Sequence, residues 1–438
     1  MSGIQIHEWE GLTGDQRSEL LKRPSVASSE QITQDVLGIL QKVREGGDQA
    51  LRDLTLKFDG VQIDQLGVPV LSPNDIGQQL EPEARKALDL AFSHIKRFHA
   101  LGKPKGYETE VAPGIRCEMK CRPMDSVGLY IPGGTAPLPS TMLMLGVPAL
   151  IAGCPLKVVV TPPQKDGGVH PAILYAASLC GVDKIFLVGG AHGIAALAYG
   201  TESVPKVAKI FGPGNAYVTA AKQLVSMDAL GAAIDMPAGP SEVLVIADES
   251  ASPDFVAADL LSQAEHGPDS QSVLLSTSDR VLTETMGRLV EQLLELPRAD
   301  ICRQSLRHLR LIKVKDMEQA LEVANLYASE HLILQVNHPE HWVDDIQNAG
   351  SVFLGHYSPE AVGDYASGTN HVLPTYGHAR AYSGLSVKDF TKFMSFQSLS
   401  PEGLQYLGPA VETLADLEGL SAHKLAVSLR LKSLESNP

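Results

Sequence analysis

A chain of 438 residues exceeds what one hydrophobic core holds and points to two or more domains. With 44% hydrophobic and 20% charged residues it has the balance of a globular protein, and a net charge of −15 excludes the clustered basic surface that a nucleic-acid binder needs. Five cysteines are too few and odd in number for a disulfide framework, the opening MSGIQIHEWEG lacks a signal-peptide pattern, and no apolar run reaches spanning length, so the expectation is a cytoplasmic enzyme without a membrane partner.

Residues 1 to about 105 read as helical, with Gln31–Val43 and Pro82–Leu101 carrying apolar residues at three- and four-residue spacing. Glu81-Pro82-Glu83 opens the second of these well, because proline suits the first turn and acids suit the positive end of the dipole. Between Tyr107 and Pro123 the pattern shortens around Pro113-Gly114, and a hairpin is predicted. Cys117 and Cys121 are four apart, but no second pair exists to close a thiolate metal site.

From Ser126 the chain alternates short β-branched runs with helix-length segments. The runs are SVGLYI at 126–131, KVVVT at 157–161, KIFLV at 184–188 and VAKIF at 207–211. That alternation is the mark of a doubly wound parallel sheet, with ligands expected at the strand ends. It resumes after Ser241 and continues to Leu354. The expected fold is therefore α/β, with two Rossmann-like doubly wound domains, one inserted in the other. The boundaries read as a helical segment at 1–29, a first α/β domain from 30–130 with 241–385, an inserted nucleotide-binding domain at 131–240, and a helical C-terminal tail at 386–438. A long polar loop is expected over Gly355–Gly384, and its tyrosines and histidines mark it as functional.

The fingerprint G-x-G-x-x-G is absent. Instead Pro132-Gly133-Gly134, Gly189-Gly190-Ala191 and Gly212-Pro213-Gly214-Asn215 each follow a strand. Each is explained equally by a tight turn, but three at one end of a sheet favour a cofactor cleft. Gln263 and His266, three apart at a predicted helix end, could form half a metal site, but on spacing alone a cap or surface pair is the favoured reading. Glu330-His331 offers a carboxylate to activate water and an imidazole, ordinarily titrating near about 6.5, to take a proton. Strand alternation sends neighbours to opposite faces, although a strand entrance relaxes that rule.

Met236–Glu242 (MPAGPSE), QAEHGPDS at 263–270, Glu330-His331 and Gly363–His371 (GDYASGTNH) together resemble histidinol dehydrogenase, and the similarity runs over nearly the full length. The resemblance implies oxidation of L-histidinol to L-histidine through histidinal, with reduction of two NAD. It implies a Zn2+ site of Gln263, His266, Asp364 and His423, whose remaining positions the substrate fills. His331 would then be the base and Glu330 the water activator. Ser241 and Glu418 match positions that hold substrate, together with the metal ligands and His331, and His371 lies nearby either as a direct contact or as a support.

Of the family's NAD contacts, a tyrosine maps to Tyr130 and an asparagine to Asn215, while the glutamine position is occupied by His192, which makes one hydrogen bond where an amide makes two. The tail carrying Glu418 and His423 would complete the site of a neighbouring subunit in a homodimer. Two other readings compete. A dehydrogenase of another small alcohol is disfavoured by Glu418 and His423, where an anionic substrate would prefer Arg or Lys, and a zinc hydrolase using Glu330 would need no NAD.

Overall fold

The computed structural model describes residues 5–24, 30–133, 137–237 and 239–436. They form two compact units, one of the residues up to Gly102 with Asp125–Phe390, the other of Lys103–Met124 with the residues from Thr391 onward.

The first unit holds two six-stranded sheets. In spatial order one runs Ile6–Glu8, Arg310–Lys313, Gln271–Ser276, Glu242–Ala247, His331–Gln335 and Ser351–Leu354, all parallel. The other runs Gly67–Pro69, Lys184–Phe186, Leu156–Val160, Ser126–Tyr130, Lys209–Phe211 and Ala233–Ile234, parallel except for the first strand. In both, the earliest central strand lies in the middle and later strands are added first on one side, then on the other. Each sheet thus has a switch point: between Glu242–Ala247 and His331–Gln335 in one, and between Ser126–Tyr130 and Lys209–Phe211 in the other.

The three central strands of the first sheet are buried along their whole length, as parallel strands covered by helices on both faces must be. Their interiors are apolar, yet each opens on a polar residue: Glu242, Gln271 and His331. The amino edge of this sheet is therefore a buried polar floor.

Several expectations need correction. Ser126–Tyr130 is the central strand of the second sheet and Gly67–Pro69 its edge, so that sheet begins well before residue 131. The N-terminal segment is not wholly helical: Ile6–Glu8 pairs with Arg310–Lys313 ahead of the helix Gly14–Leu20. Within the long loop, Glu360–Tyr365 is a helix. The tail is also not wholly helical, because Thr391–Leu399 forms a strand paired over nine residues with Ile115–Pro123. In TKFMSFQSL the aromatic and hydroxyl residues that favour strands outweigh the helical reading.

That strand completes the second unit's antiparallel sheet, whose other members are the expected hairpin of Tyr107–Ala112 and Ile115–Pro123. Gly114, at φ +75°, makes the hairpin turn. Two helices follow, Pro401–Leu417 and Ser421–Ser436, and they approach closely enough at Gly408 that a Cβ there would lie 2.8 Å from Leu431.

Candidate active site

The polar floor of the first sheet gathers the acid and imidazole groups. Glu330 and His331 are 5% and 3% exposed, and Glu330 Oε2 lies 3.7 Å from His331 Nδ1. Alternation does not separate them, because His331 is the first strand residue and Glu330 still belongs to the approach. The peptide of Glu242 holds both: its N–H donates to Glu330 Oε2 at 2.9 Å, and its carbonyl accepts from His331 Nδ1 at 3.3 Å. A carbonyl can only accept, so Nδ1 carries the proton and Nε2 is left to face outward, 3.5 Å from Asp364 Oδ1.

Asp364 stands on the helix Glu360–Tyr365, one turn after Glu360, so both carboxylates share a face. Its other oxygen is 3.9 Å from His266 Nε2. One ligand atom from each of His266, Glu360 and Asp364 lies within 4.8 Å of the others, the spacing of a metal-binding cluster. His266 directly follows the helix Pro253–Ala264, which Gly267-Pro268 prevents from continuing. Its N–H bonds to the carbonyl of Gln263 at 3.2 Å, so the two residues occupy one tight final turn rather than a regular helical face. The crossover helix returns against the strand direction, and its C-terminus therefore reaches the amino edge of the sheet.

Electrostatics set this cluster apart. Burial above all raises Glu330 to about 7 and Glu360 to about 8. Burial alone would lower His331, but the surrounding charges of Glu360, Glu330 and Asp364 outweigh it and push the ring up to about 10. Asp364 is held below its ordinary value despite burial, through its hydrogen bond with His331 and the charges of His331, His371 and His266. Both oxygens of Glu360 and both polar atoms of the fully buried Gln263 side chain lack hydrogen-bond partners among the described residues. Crowded acids, an imidazole and an orphaned amide are the surroundings that a divalent cation with nitrogen and oxygen donors would satisfy.

His371 lies behind this group, with Nδ1 2.8 Å from the carbonyl of Asp364 and Nε2 3.3 Å from Thr141 Oγ1. Ser241 immediately precedes the strand Glu242–Ala247. Glu418 and His423 belong to the second unit, where Glu418 caps the C-terminus of one helix and His423 sits in the first turn of the next, both exposed. Glu360 lies outside every quoted motif, and Glu242 closes one of them without a role being assigned to it. The available signal for Glu360 was an acid four residues before Asp364.

The glycine turns occupy the carboxyl edge of the second sheet, and its switch point brings Tyr130 beside the turn that begins at Gly212. Gly212 has φ +123°, and a Cβ there would lie 2.2 Å from the carbonyl oxygen of Tyr130. The Tyr130 hydroxyl accepts from the Gly190 N–H at 3.2 Å, and Asn215 caps the following helix through Val218 N–H at 3.1 Å. His192 is 1% exposed, with Nε2 3.2 Å from Thr55 Oγ1 on the helix Glu30–Asp59 and Nδ1 without a hydrogen-bond partner among the described residues. Gly134 and Ala238, in two of the quoted motifs, lie outside the described residues.

Two doubly wound sheets, one with glycine turns at its carboxyl edge and one with an acid–imidazole pair beside a cluster that could hold a cation, define an α/β protein of Rossmann-like class with a candidate metal centre. The comparisons with known proteins narrow this. The chain belongs to the histidinol dehydrogenase family, whose model, described as "Histidinol dehydrogenase", matches residues 21–431. It is 53% identical over 429 residues to the histidinol dehydrogenase of Vibrio parahaemolyticus, covering 98% of this chain and 99% of that one. Against the Escherichia coli histidinol dehydrogenase the identity is 52% over 435 residues, covering 99% of both. The crystal structure of histidinol dehydrogenase from Elizabethkingia anophelis superposes with a TM-score of 0.93 at 46% identity, covering 99% of this chain and 98% of that chain.

Proposed function

We propose that this chain oxidises L-histidinol through histidinal to L-histidine, with zinc bound and two NAD reduced per turnover. The observation that carries the reading is the meeting of Glu330 and His331 with the His266, Glu360 and Asp364 cluster in one buried place. His266 and Asp364, with Gln263 and with His423 contributed by the neighbouring subunit's tail, would hold the zinc. When bound, zinc would orient and polarise the substrate, and NAD would accept the hydride. A cation held by Asp364 would offset the acidic charge that raises the ring, and His331 would then be neutral and take the hydroxyl proton at Nε2, its Nδ1 being committed to the Glu242 carbonyl. Glu330, which burial brings to a pKa of about 7, is matched to removing a proton from the water that adds to the aldehyde carbon. Tyr130 and Asn215 are the proposed NAD contacts, while Ser241 and Glu418 would hold the substrate.

Chelation followed by zinc addition, with reduced nicotinamide counted against histidinol consumed, tests this. Two NADH per histidinol and recovery by zinc are expected, and turnover without NAD would overturn the reading. The exposed tail residues Glu418 and His423 support a homodimer in which each tail completes the partner's site. Mixed dimers of His331→Ala and His423→Ala chains should then regain activity, and inactive verified heterodimers would remove the shared site.

A further inference from the structure

We infer that Arg23 is a positioning residue for the Glu330–His331 pair, acting through Glu242. The inference rests on the reading of that pair as water activator and base. Arg23 grips the Glu242 carboxylate with both prongs of its guanidinium, Nε to Oε2 at 2.5 Å and Nη2 to Oε1 at 2.8 Å. Nη2 also donates to the carbonyl of Tyr327 at 2.7 Å, and the guanidinium lies 4.0 Å from the centre of the Tyr327 ring. The Tyr327 hydroxyl is 3.3 Å from Glu242 Oε2 and 2.9 Å from Gln271 Oε1. The carboxylate of Glu242, on a residue 1% exposed, is thus held by Arg23 and Tyr327, groups from two distant parts of the chain.

The backbone of Glu242 is what makes this matter for the site. In the parallel register Val243, not Glu242, pairs with His331, so the Glu242 peptide lies one residue ahead of the ladder on that side. Its N–H and carbonyl are taken up by the Glu330 carboxylate and the His331 ring. A frayed strand start would release both at once: the acid would lose its donor, and the imidazole would lose the acceptor that keeps the proton on Nδ1. A bidentate, stacked Arg removes that freedom, whereas Lys has a single rotating ammonium that cannot reproduce the fork. Glu242 and Glu330 are also two buried acids close together, so Glu242 without Arg23 would be pushed away from its present seat.

The test is Arg23→Lys and Arg23→Ala in the zinc-loaded enzyme. For Arg23→Lys, kcat should fall roughly tenfold to a hundredfold, the scale of a small misplacement of reacting groups, with KM for L-histidinol and zinc content unchanged. Millimolar guanidinium should restore part of the kcat of Arg23→Ala and none of that of Arg23→Lys. A lowered melting temperature with wild-type kcat per folded molecule would make Arg23 merely structural and end the inference. Should Arg23→Ala not fold, the kcat of Arg23→Lys decides alone. Glu330→Gln and His331→Asn, measured alongside, separate the two failures. If they remain active, the reading of the pair has failed; if they are inactive while Arg23→Lys turns over normally, only the role of Arg23 has.

Discussion

His371 Nδ1 stands 2.8 Å from the backbone carbonyl of Asp364, not from its carboxylate. Because that carbonyl only accepts, the ring donates through Nδ1 and takes the Thr141 hydroxyl at Nε2, so both nitrogens are occupied and neither is free to ligate. His371 therefore supports the short helix that presents Glu360 and Asp364. Substituting His371 with Asn should weaken zinc binding by roughly tenfold to a hundredfold, as losses behind a metal ligand do, while zinc-saturated kcat changes little. Competition with a calibrated chelator reads the affinity, and an unchanged value would refute the support role.

Glu360 lies in the cluster with no hydrogen-bond partner for either oxygen among the described residues, and burial raises it to about 8. Without metal, burial already penalises its charge, so Glu360→Gln should cost the metal-free protein little stability. With metal the carboxylate gains what the amide does not, and zinc affinity should fall by roughly tenfold or more. Comparing melting temperatures of native and variant protein with and without zinc separates these terms. If the variant lost as much stability without zinc as with it, Glu360 would have a packing role only.

The alternation of strands and helices was legible because buried parallel strands must be short and apolar, and the family motifs survive as contiguous words. What stayed hidden depends on which strand adjoins which. Glu330 and His331 are neighbours in sequence, but the peptide that organises them belongs to Glu242, 88 and 89 positions away. The strand Thr391–Leu399 was missed for a similar reason: eight of its nine residues are exposed, so no burial alternation marked it, and its partner lies in Ile115–Pro123. The packing of His192 was equally hidden, because Thr55 and Phe58, which its ring meets, lie far from its motif in sequence.

Gly212 permits the turn at the switch point of the second sheet. A methyl group there would press on the Tyr130 carbonyl at 2.2 Å, and its φ of +123° is one that alanine resists. Backbone cannot yield as a flexible side chain does, so Gly212→Ala should cost about 2 kcal/mol or more and displace the turn that carries Asn215. Both a lower melting temperature and weaker NADH binding by fluorescence titration are expected. Native NADH affinity in this variant would separate the turn from cofactor binding.

His192 also sets a pH dependence of stability. Burial lowers its ring to about 4, against about 6.5 in the unfolded chain. The folded state thus resists protonation that the unfolded state accepts, and between these values the unfolded chain binds more protons. Stability from this group is intact above about 6.5 and is lost as pH falls toward 4, by up to about 3 kcal/mol. His99, also buried and lowered to about 4, adds a loss of the same sign. Replacing His192 with Gln removes the titrating ring while retaining one hydrogen-bonding group toward Thr55. The variant's melting temperature should therefore fall less steeply than that of the native protein between pH 6.5 and 4.5, whatever its value at pH 7. Parallel curves over that range would mean that His192 takes up a proton without leaving its site, and that its buried contact with Thr55 tolerates the charge.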